Sequence, residues 1–348
     1  MTRSLILLAA AAAASAGVFT VTADNARTRT PENGEQVLDL EGNVVVTDGE
    51  VTVTSSTASV YQESERAEFF GGVHVESDTL TADGDYLTYS RITGVMVLNG
   101  NAVLSDGTST LTADRVDWFR FRDKATARGA VVLQGDWLGE VRGEYALYDR
   151  ERGSLFVTVD PVMTRVENGD TTVVTADRLE FFPDGERAEA QGNAFVSMPA
   201  RDMETSSEYL RYFGEEQRME LIGSPEMTAE GGQLAGDWME GLLDDDGGLR
   251  FLRVEGAASG NLEEDSTLVD FHSQRAEFAF VGGTDELDSL LLQGSAVLNV
   301  FGSDSIRTEA NTISAEEIVI FFENGGASEV RAAGTVRGTY SWSGEFRD

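Results

Sequence analysis

Side chains able to do catalysis or bind metals are few in kind. His74 and His272 are the only histidines and stand far apart in the chain. A base in a triad or a metal pair would need partners that no local spacing supplies, so both read as solvated or core histidines. Cysteine is absent, which excludes disulfides, thiolate metal sites and thiol nucleophiles and leaves the redox compartment open. Asp and Glu number 61, and against that background any two could be called a glycosidase dyad; abundance removes the information. The run "DDDGG" (244–248) lacks the alternating ligands and closing Glu of a calcium loop and reads as a hairpin turn. No "GxxxxGK" phosphate loop occurs. The sequence assigns no catalytic residue, no metal ligand and no cofactor.

The formal net charge of −35 and pI near 4.2 argue against nucleic acid as a partner, since that binding needs cations to neutralise phosphates. Lys124 is the only lysine. An acidic, lysine-poor surface reads first as a solubility or salt adaptation rather than a binding site. Hydrophobic residues make up 41%, enough for a large core, and length alone predicts two or three domains. The N-terminus has Arg3, an apolar stretch from Leu5 to about Phe19, and small residues before Asp24. This is a secretory signal with expected cleavage after Ala23, the rival being an uncleaved membrane anchor. Either way the folded part is expected in the periplasm.

With polar chemistry discounted, what remains is apolar contact, and the elements that array it are repeated. Glycine-centred turns are expected to precede short apolar runs at Gly42, Gly71, Gly100 and Gly129, spaced 29, 29 and 29. The series continues less regularly through Gly192, Gly223, Gly256, Gly294 and Gly334. A second phrase reads small, acidic, any, apolar, any, aromatic: "ADRVDW" (113–118), "GEYALY" (143–148), "ADRLEF" (176–181) and "SEYLRY" (207–212). Its starts are 30, 33 and 31 apart, so the two phrases keep pace. Apolar residues at i and i+2, rich in Val, Thr and aromatics, indicate strands with one buried face. Turn clusters separate them at 47–50, 105–109, 167–170, 183–186, 244–248 and 323–326. The expectation is an all-β protein of about ten ~30-residue units, each giving two or three short antiparallel strands that bury their faces by stacking. Such a stack would be roughly 50–100 Å long, a rod or trough.

The pair "GNAVL…TLTADRVDWF", with "EGNVVV" (41–46), "VTADRLEFF" (174–182) and "QGNAFV" (191–196), resembles the periplasmic lipopolysaccharide-transport bridge family, OstA-like and LptA-like, related to the LptC β-jellyroll. The resemblance covers most of residues 37–340, with the later copies more divergent. It implies an elongated repeat β-jellyroll, or β-taco: two walls with a greasy interior that holds lipopolysaccharide acyl chains. It further implies a non-enzymatic carrier bridging the inner and outer membranes. Partners would be lipopolysaccharide or a related lipid and other transport components joined by edge-to-edge strand pairing, with a homo-oligomer open. The expected organisation is a signal over 1–23, a short linker over 24–36, OstA-like repeats over 37–190 and divergent repeats over 191–348.

A trough needs apolar walls with room between them, and small residues alternate with large ones at the inward positions. Ala82, Ala102, Ala113, Ala146 and Ala194 stand among Leu104, Trp118, Tyr148, Phe181 and Tyr212. The lining expected on this reading is Val73, Val75, Ala102, Leu104, Leu111, Ala113, Val116, Trp118, Val131, Leu133, Tyr148, Leu179, Phe181, Ala194, Val196, Leu210 and Tyr212. A filled core would show the same pattern. The competing readings are a β-solenoid enzyme acting on polysaccharide, which would show shorter coils and parallel strands, and a structural stalk of the cell envelope.

Overall fold

The computed structural model describes residues 20–344, apart from 33, 48–50, 168, 230–231, 245–246, 265–266, 283, 285, 304–306 and 324–325. The expected signal segment lies outside the described residues except for positions 20–23, and so do parts of the turns at 47–50, 167–170, 244–248 and 323–326. In chain order the strands are β1 Thr20–Thr22, β2 Asn25–Arg29, β3 Val37–Thr47, β4 Val51–Tyr61, β5 Arg66–Ser77, β6 Thr81–Ser90, β7 Val95–Ser105, β8 Ser109–Phe119 and β9 Lys124–Gly135. There follow β10 Gly139–Asp149, β11 Ser154–Thr158, β12 Val162–Glu167, β13 Asp170–Thr175, β14 Arg178–Phe182, β15 Arg187–Met198, β16 Met203–Phe213, β17 Arg218–Ile222 and β18 Glu226–Ala229. The last are β19 Gly232–Ala235, β20 Trp238–Leu243, β21 Leu249–Glu264, β22 Thr267–Phe280, β23 Leu287–Ser303, β24 Arg307–Glu323, β25 Gly326–Ala333 and β26 Arg337–Gly344. Among the described residues the pairings are antiparallel and there is no α-helix.

The strands are longer than the sequence suggested. β3–β10 run 10–12 residues each and β21–β24 run 14–17. One 29-residue repeat is therefore one hairpin of two long strands rather than two or three short ones. The difference lies at the glycines. Gly100 does not reverse the chain; it sits in the middle of β7 with φ +76°, followed by Asn101 at +48°. Pairing passes from Asn99↔Arg115 to Ala102↔Ala113, so β7 carries one residue more than β8 across this step. That is a β-bulge, which bends a strand instead of ending it. Gly42, Gly71 and Gly129 do the same in β3, β5 and β9.

The facing strand turns the same corner by another route. In β8 both Ala113 and Val116 are buried while Asp114 and Arg115 are exposed. Strict alternation would put Ala113 and Val116 on opposite faces, so the buried face switches between them, as it does where a strand rounds a corner. Each long strand thus has two arms. Arm 1 lies on the side of the hairpin tips near residues 61–66, 90–94, 119–124 and 149–153. Arm 2 lies on the side of the tips near 77–81, 105–109 and 135–139.

The two repeated phrases meet at this corner. A Cβ on Gly100 would fall 2.9 Å from the Asp85 Cβ and Cγ; on Gly129 it would meet Asp114 at the same distance. Gly192 faces Asp177, Gly256 faces Asp237 and Gly42 faces Asp24 in the same way. The carboxylates also accept hydrogen bonds from the bulge: Asn101 Nδ2 to Asp85 at 3.1 Å, Asn43 to Asp24 at 2.9 Å and Asn193 to Asp177 at 3.1 Å. The acidic residue of one phrase braces the glycine of the other, and the missing Cβ makes the room.

The chain divides into two compact units. Unit 1 comprises residues up to Arg165 together with Arg178–Glu186, and unit 2 comprises Val166–Asp177 together with Arg187 onward. In unit 1, β1 pairs with Val45–Thr47 and β2 with Val37–Glu41 of β3, so residues 25–29 form a strand where the sequence suggested a linker. β10 pairs with both β11 and β12, whose junction at Val159 and Asp160 takes positive φ without a glycine. In unit 2, β15–β16 and β21 through β24 repeat the bulged hairpin of unit 1.

Candidate functional site

The site considered is the apolar interior between the arms of unit 1. A space of about 320 Å³ lies there. Arm 1 contributes Val60, Ala67, Phe69, Leu87, Tyr89 and Met96 to its walls, and arm 2 contributes Val46, Val51, Val53 and Val75. Val21 of β1 closes part of one side. Gln62, Glu65, Arg66 and Arg91, at the arm 1 tips, supply the polar part of the lining. A second space of about 40 Å³ shares Val75, Leu87 and Met96 with the first and is otherwise walled by Leu80, Ala82, Leu98, Leu104, Val116 and Trp118. Further along, Leu138, Leu155, Phe181 and the alanines Ala125, Ala127 and Ala146 are buried, and Trp137 meets Phe181 edge-on at 6.2 Å.

The expected lining residues are placed inward almost throughout. In unit 1, Val73, Val75, Ala102, Leu104, Leu111, Ala113, Val116, Trp118, Val131, Leu133, Leu179 and Phe181 are buried. In unit 2, so are Ala194, Val196 and Leu210. Tyr148 and Tyr212 are only half-buried, because each falls near an arm tip where the walls end. Of the whole set, the larger space touches Val75 alone, and the smaller touches Val75, Leu104, Val116 and Trp118. Ala102 and Ala113 pair with each other at the corner and border neither space; their small size suits the bend.

The residues that do border the larger space, Val46, Val51, Val53, Val60, Phe69, Leu87 and Met96, belong to the first three hairpins. The signal that could have found them was local. In β3–β5 the inward positions are filled mainly by Val, whereas later hairpins bring Trp118, Trp137 and Phe181. Two buried donors near these spaces, the Tyr89 O–H and the Trp118 Nε1–H, have no hydrogen-bond partner among the described residues, an arrangement costing about 1–3 kcal/mol per group.

At the mouth, Arg91 Nε and Nη2 donate to Glu65 at 2.7 and 2.6 Å. That hydrogen-bonded pairing pushes the Arg91 pKa above its ordinary value. Arg66 lies 4.3 Å over the Tyr61 ring. On the outer face, burial and the neighbouring Glu68 carboxylate push the Tyr86 hydroxyl up. Among the described residues no cluster of three or more His, Cys, Asp or Glu could hold a metal ion. His74 Nδ1 lies 2.7 Å from Asp83 on an exposed surface, away from the interior.

Residues 16–157 match a family model described as OstA-like protein. The matched segment contains both spaces and every strand that walls them, and the family is the one that the repeated phrases resemble. One similar solved structure is the crystal structure of LptH, the LptA-homologous periplasmic component of the conserved lipopolysaccharide transport device from Pseudomonas aeruginosa. It is 14% identical, with 42% of this chain and 82% of that chain covered and a TM-score of 0.22, a superposition too loose to carry an argument about residues. No curated protein matches the chain in sequence. Among the described residues no helix is long and apolar enough to cross a membrane.

Proposed function

We propose that this protein is a non-enzymatic periplasmic carrier that holds the acyl chains of lipopolysaccharide between its arms and passes them between the inner and outer membranes. The observation that carries this reading is the unfilled apolar space of about 320 Å³ between the arms of the OstA-like segment. A stalk would need no such space. The volume is at the lower end of ligand pockets, roughly 300–1,000 Å³, so it suits part of a large amphiphile rather than the whole. Each methylene taken from water contributes about 0.8 kcal/mol without directional preference, which suits cargo that must slide. The unpartnered Tyr89 and Trp118 donors favour a chain bearing an oxygen acceptor over a bare hydrocarbon. Partner docking falls to the exposed last strands: β25 and β26 each pair with β24, and Val330, Val336 and Tyr340 stand exposed there, an edge suited to strand addition.

The test is site-specific photo-crosslinking in cells. A crosslinking residue at Val53 or Met96 is expected to capture lipopolysaccharide, while one at exposed Arg115 is not. Equal capture at all three, or none, overturns the reading. Val75→Trp, which fills the space, is expected to abolish capture at Met96 while the protein still folds.

A further inference from the structure

Three successive arm 1 tips of unit 1, at 91–94, 120–124 and 149–153, form a cationic, apolar-tipped strip on a strongly anionic protein. The tip before them carries Glu63, Glu65 and Arg66. Successive tips are tied together by backbone hydrogen bonds: Arg91 N–H to Glu65 O at 3.0 Å, Arg120 N–H to Gly94 O at 2.9 Å and Arg150 N–H to Asp123 O at 3.0 Å. Across the tips at 91–94, 120–124 and 149–153 stand six cations and three carboxylates. On the whole chain the balance is −35. Lys124 pairs with Asp149 at 2.9 Å, and Arg150 and Arg152 have only loose partners at 3.7 Å. Arg120 and Arg122 have no ion-pair partner among the described residues. Between them Phe121 is 68% exposed, and Ile92 on the adjoining tip is 62% exposed. The Phe121 ring packs beside Gly94, where a Cβ would fall 2.8 Å from it, so the two apolar side chains belong to one patch.

The opposite rim has the reverse character. The arm 2 tips at 77–81, 105–109 and 135–139 carry Asp78, Asp106 and Asp136 and no Arg or Lys. The strip is also confined to unit 1: the arm 1 tips of unit 2 carry Glu215, Glu216, Asp244 and Glu286. Solubility does not explain an exposed Phe flanked by the unpaired Arg120 and Arg122, with an exposed Ile on the adjoining tip, on one rim alone. An interface between water and anionic headgroups does, because it takes apolar tips into the acyl boundary and pairs the arginines with phosphates.

We propose that the arm 1 rim of unit 1 docks on the surface of an anionic lipid bilayer, with Phe121 and Ile92 entering the headgroup layer and Arg120, Arg122, Arg150 and Arg152 on its phosphates. The acidic arm 2 rim is then repelled from the same surface, which fixes which rim faces the membrane.

The test is sedimentation of the purified protein with vesicles made of equal parts phosphatidylglycerol and phosphatidylcholine, compared with vesicles of phosphatidylcholine alone. Binding is expected only to the anionic vesicles and is expected to fall as ionic strength rises. Each arginine near such a surface is worth about a factor of five, so Arg120→Gln with Arg122→Gln should weaken partitioning roughly 30-fold. Phe121→Ser should weaken it about tenfold. Phe301→Ser, at an exposed apolar position in unit 2, should not change it. Should the first pair of substitutions perturb folding, seen in the circular dichroism of the strands, Arg150→Gln with Arg152→Gln must weaken binding in the same direction. Failure to sediment, equal sedimentation with both vesicles, or unchanged binding by the arginine variants overturns the proposal. So does release by inorganic phosphate at constant ionic strength, which would mark a small-anion site.

Discussion

At the scale of the residue, a glycine and the carboxylate it faces decide whether a strand can bend. Gly100 combines φ +76° with Asp85 packed where its Cβ would be, whereas Gly107 has φ +85° and open space. Gly107→Ala should therefore cost about 1 kcal/mol through the backbone alone. Gly100→Ala should cost about 1–3 kcal/mol more. In an Asp85→Ala background that excess should shrink, a coupling that urea denaturation of the single and double variants measures. The near absence of lysine has a reading in the structure that composition alone did not suggest. Arg178 lies 4.0 Å over Phe156 while its Nη2 bonds buried Glu180 at 2.7 Å. Arg211, Arg218, Arg253 and Arg331 likewise sit over rings while near Glu side chains. A planar guanidinium can stack and bond at once; an ammonium cannot do both. Arg178→Lys should lower stability by about 1 kcal/mol, and Arg178→Met by about 3 kcal/mol, because it leaves the buried Glu180 charge with only Arg152 at 3.7 Å. The same denaturation assay ranks the two.

At the scale of the element, facing strands of unit 2 hold one row of charges in register. Glu189, Arg211, Glu220, Glu240, Arg253 and Glu277 each stand opposite the next. The like pair Glu220 and Glu240 is bridged by Arg218, which bonds the first and lies 3.7 Å from the second. Burial alone would push the Glu277 pKa up, but hydrogen bonds from Arg275 and Arg253 outweigh it and the value lies below the ordinary one. A carboxylate depressed on folding contributes stability above its unfolded pKa and loses it as pH falls through the folded one. Thermal melts should therefore show the Glu277 end of the row weakening below about pH 4, and Arg253→Met should flatten that dependence. How much of this was legible in sequence depends on the kind of interaction. Val116 and Trp118 announced an inward face because burial leaves a period of two, and the 29-residue spacing announced stacking hairpins. Gly100 was misread as a reversal because a bulge and a turn need the same backbone and the same Gly-Asn pair; only cross-strand register separates them. The Asp85–Gly100 contact and the valine-lined space were not legible, since both depend on which strands lie side by side. Ala102 and Ala113, read as makers of room, proved to be corner residues.

At the scale of the whole molecule, charge is the dominant bulk property. A chain at −35 repels itself, and screening relieves that repulsion. Added sodium chloride should raise the melting temperature even though it weakens individual surface ion pairs, a result that calorimetry in graded salt checks. The same salt should loosen the arm 1 rim from anionic vesicles, so folding and docking should respond with opposite sign. The carboxylate–glycine brace bears on how such a molecule comes to have its length. Asp85 and Gly100 lie in β6 and β7, and Asp114 and Gly129 in β8 and β9, so each pair of strands joined at an arm 1 tip carries both halves of its own brace and borrows neither from the next pair. A hairpin can then be copied or lost as a finished part, at the tips where one gives way to another, without unpicking its neighbours. Strand number behaves as something a genome can adjust by duplication, in steps of two, and the extent of the interior changes with it.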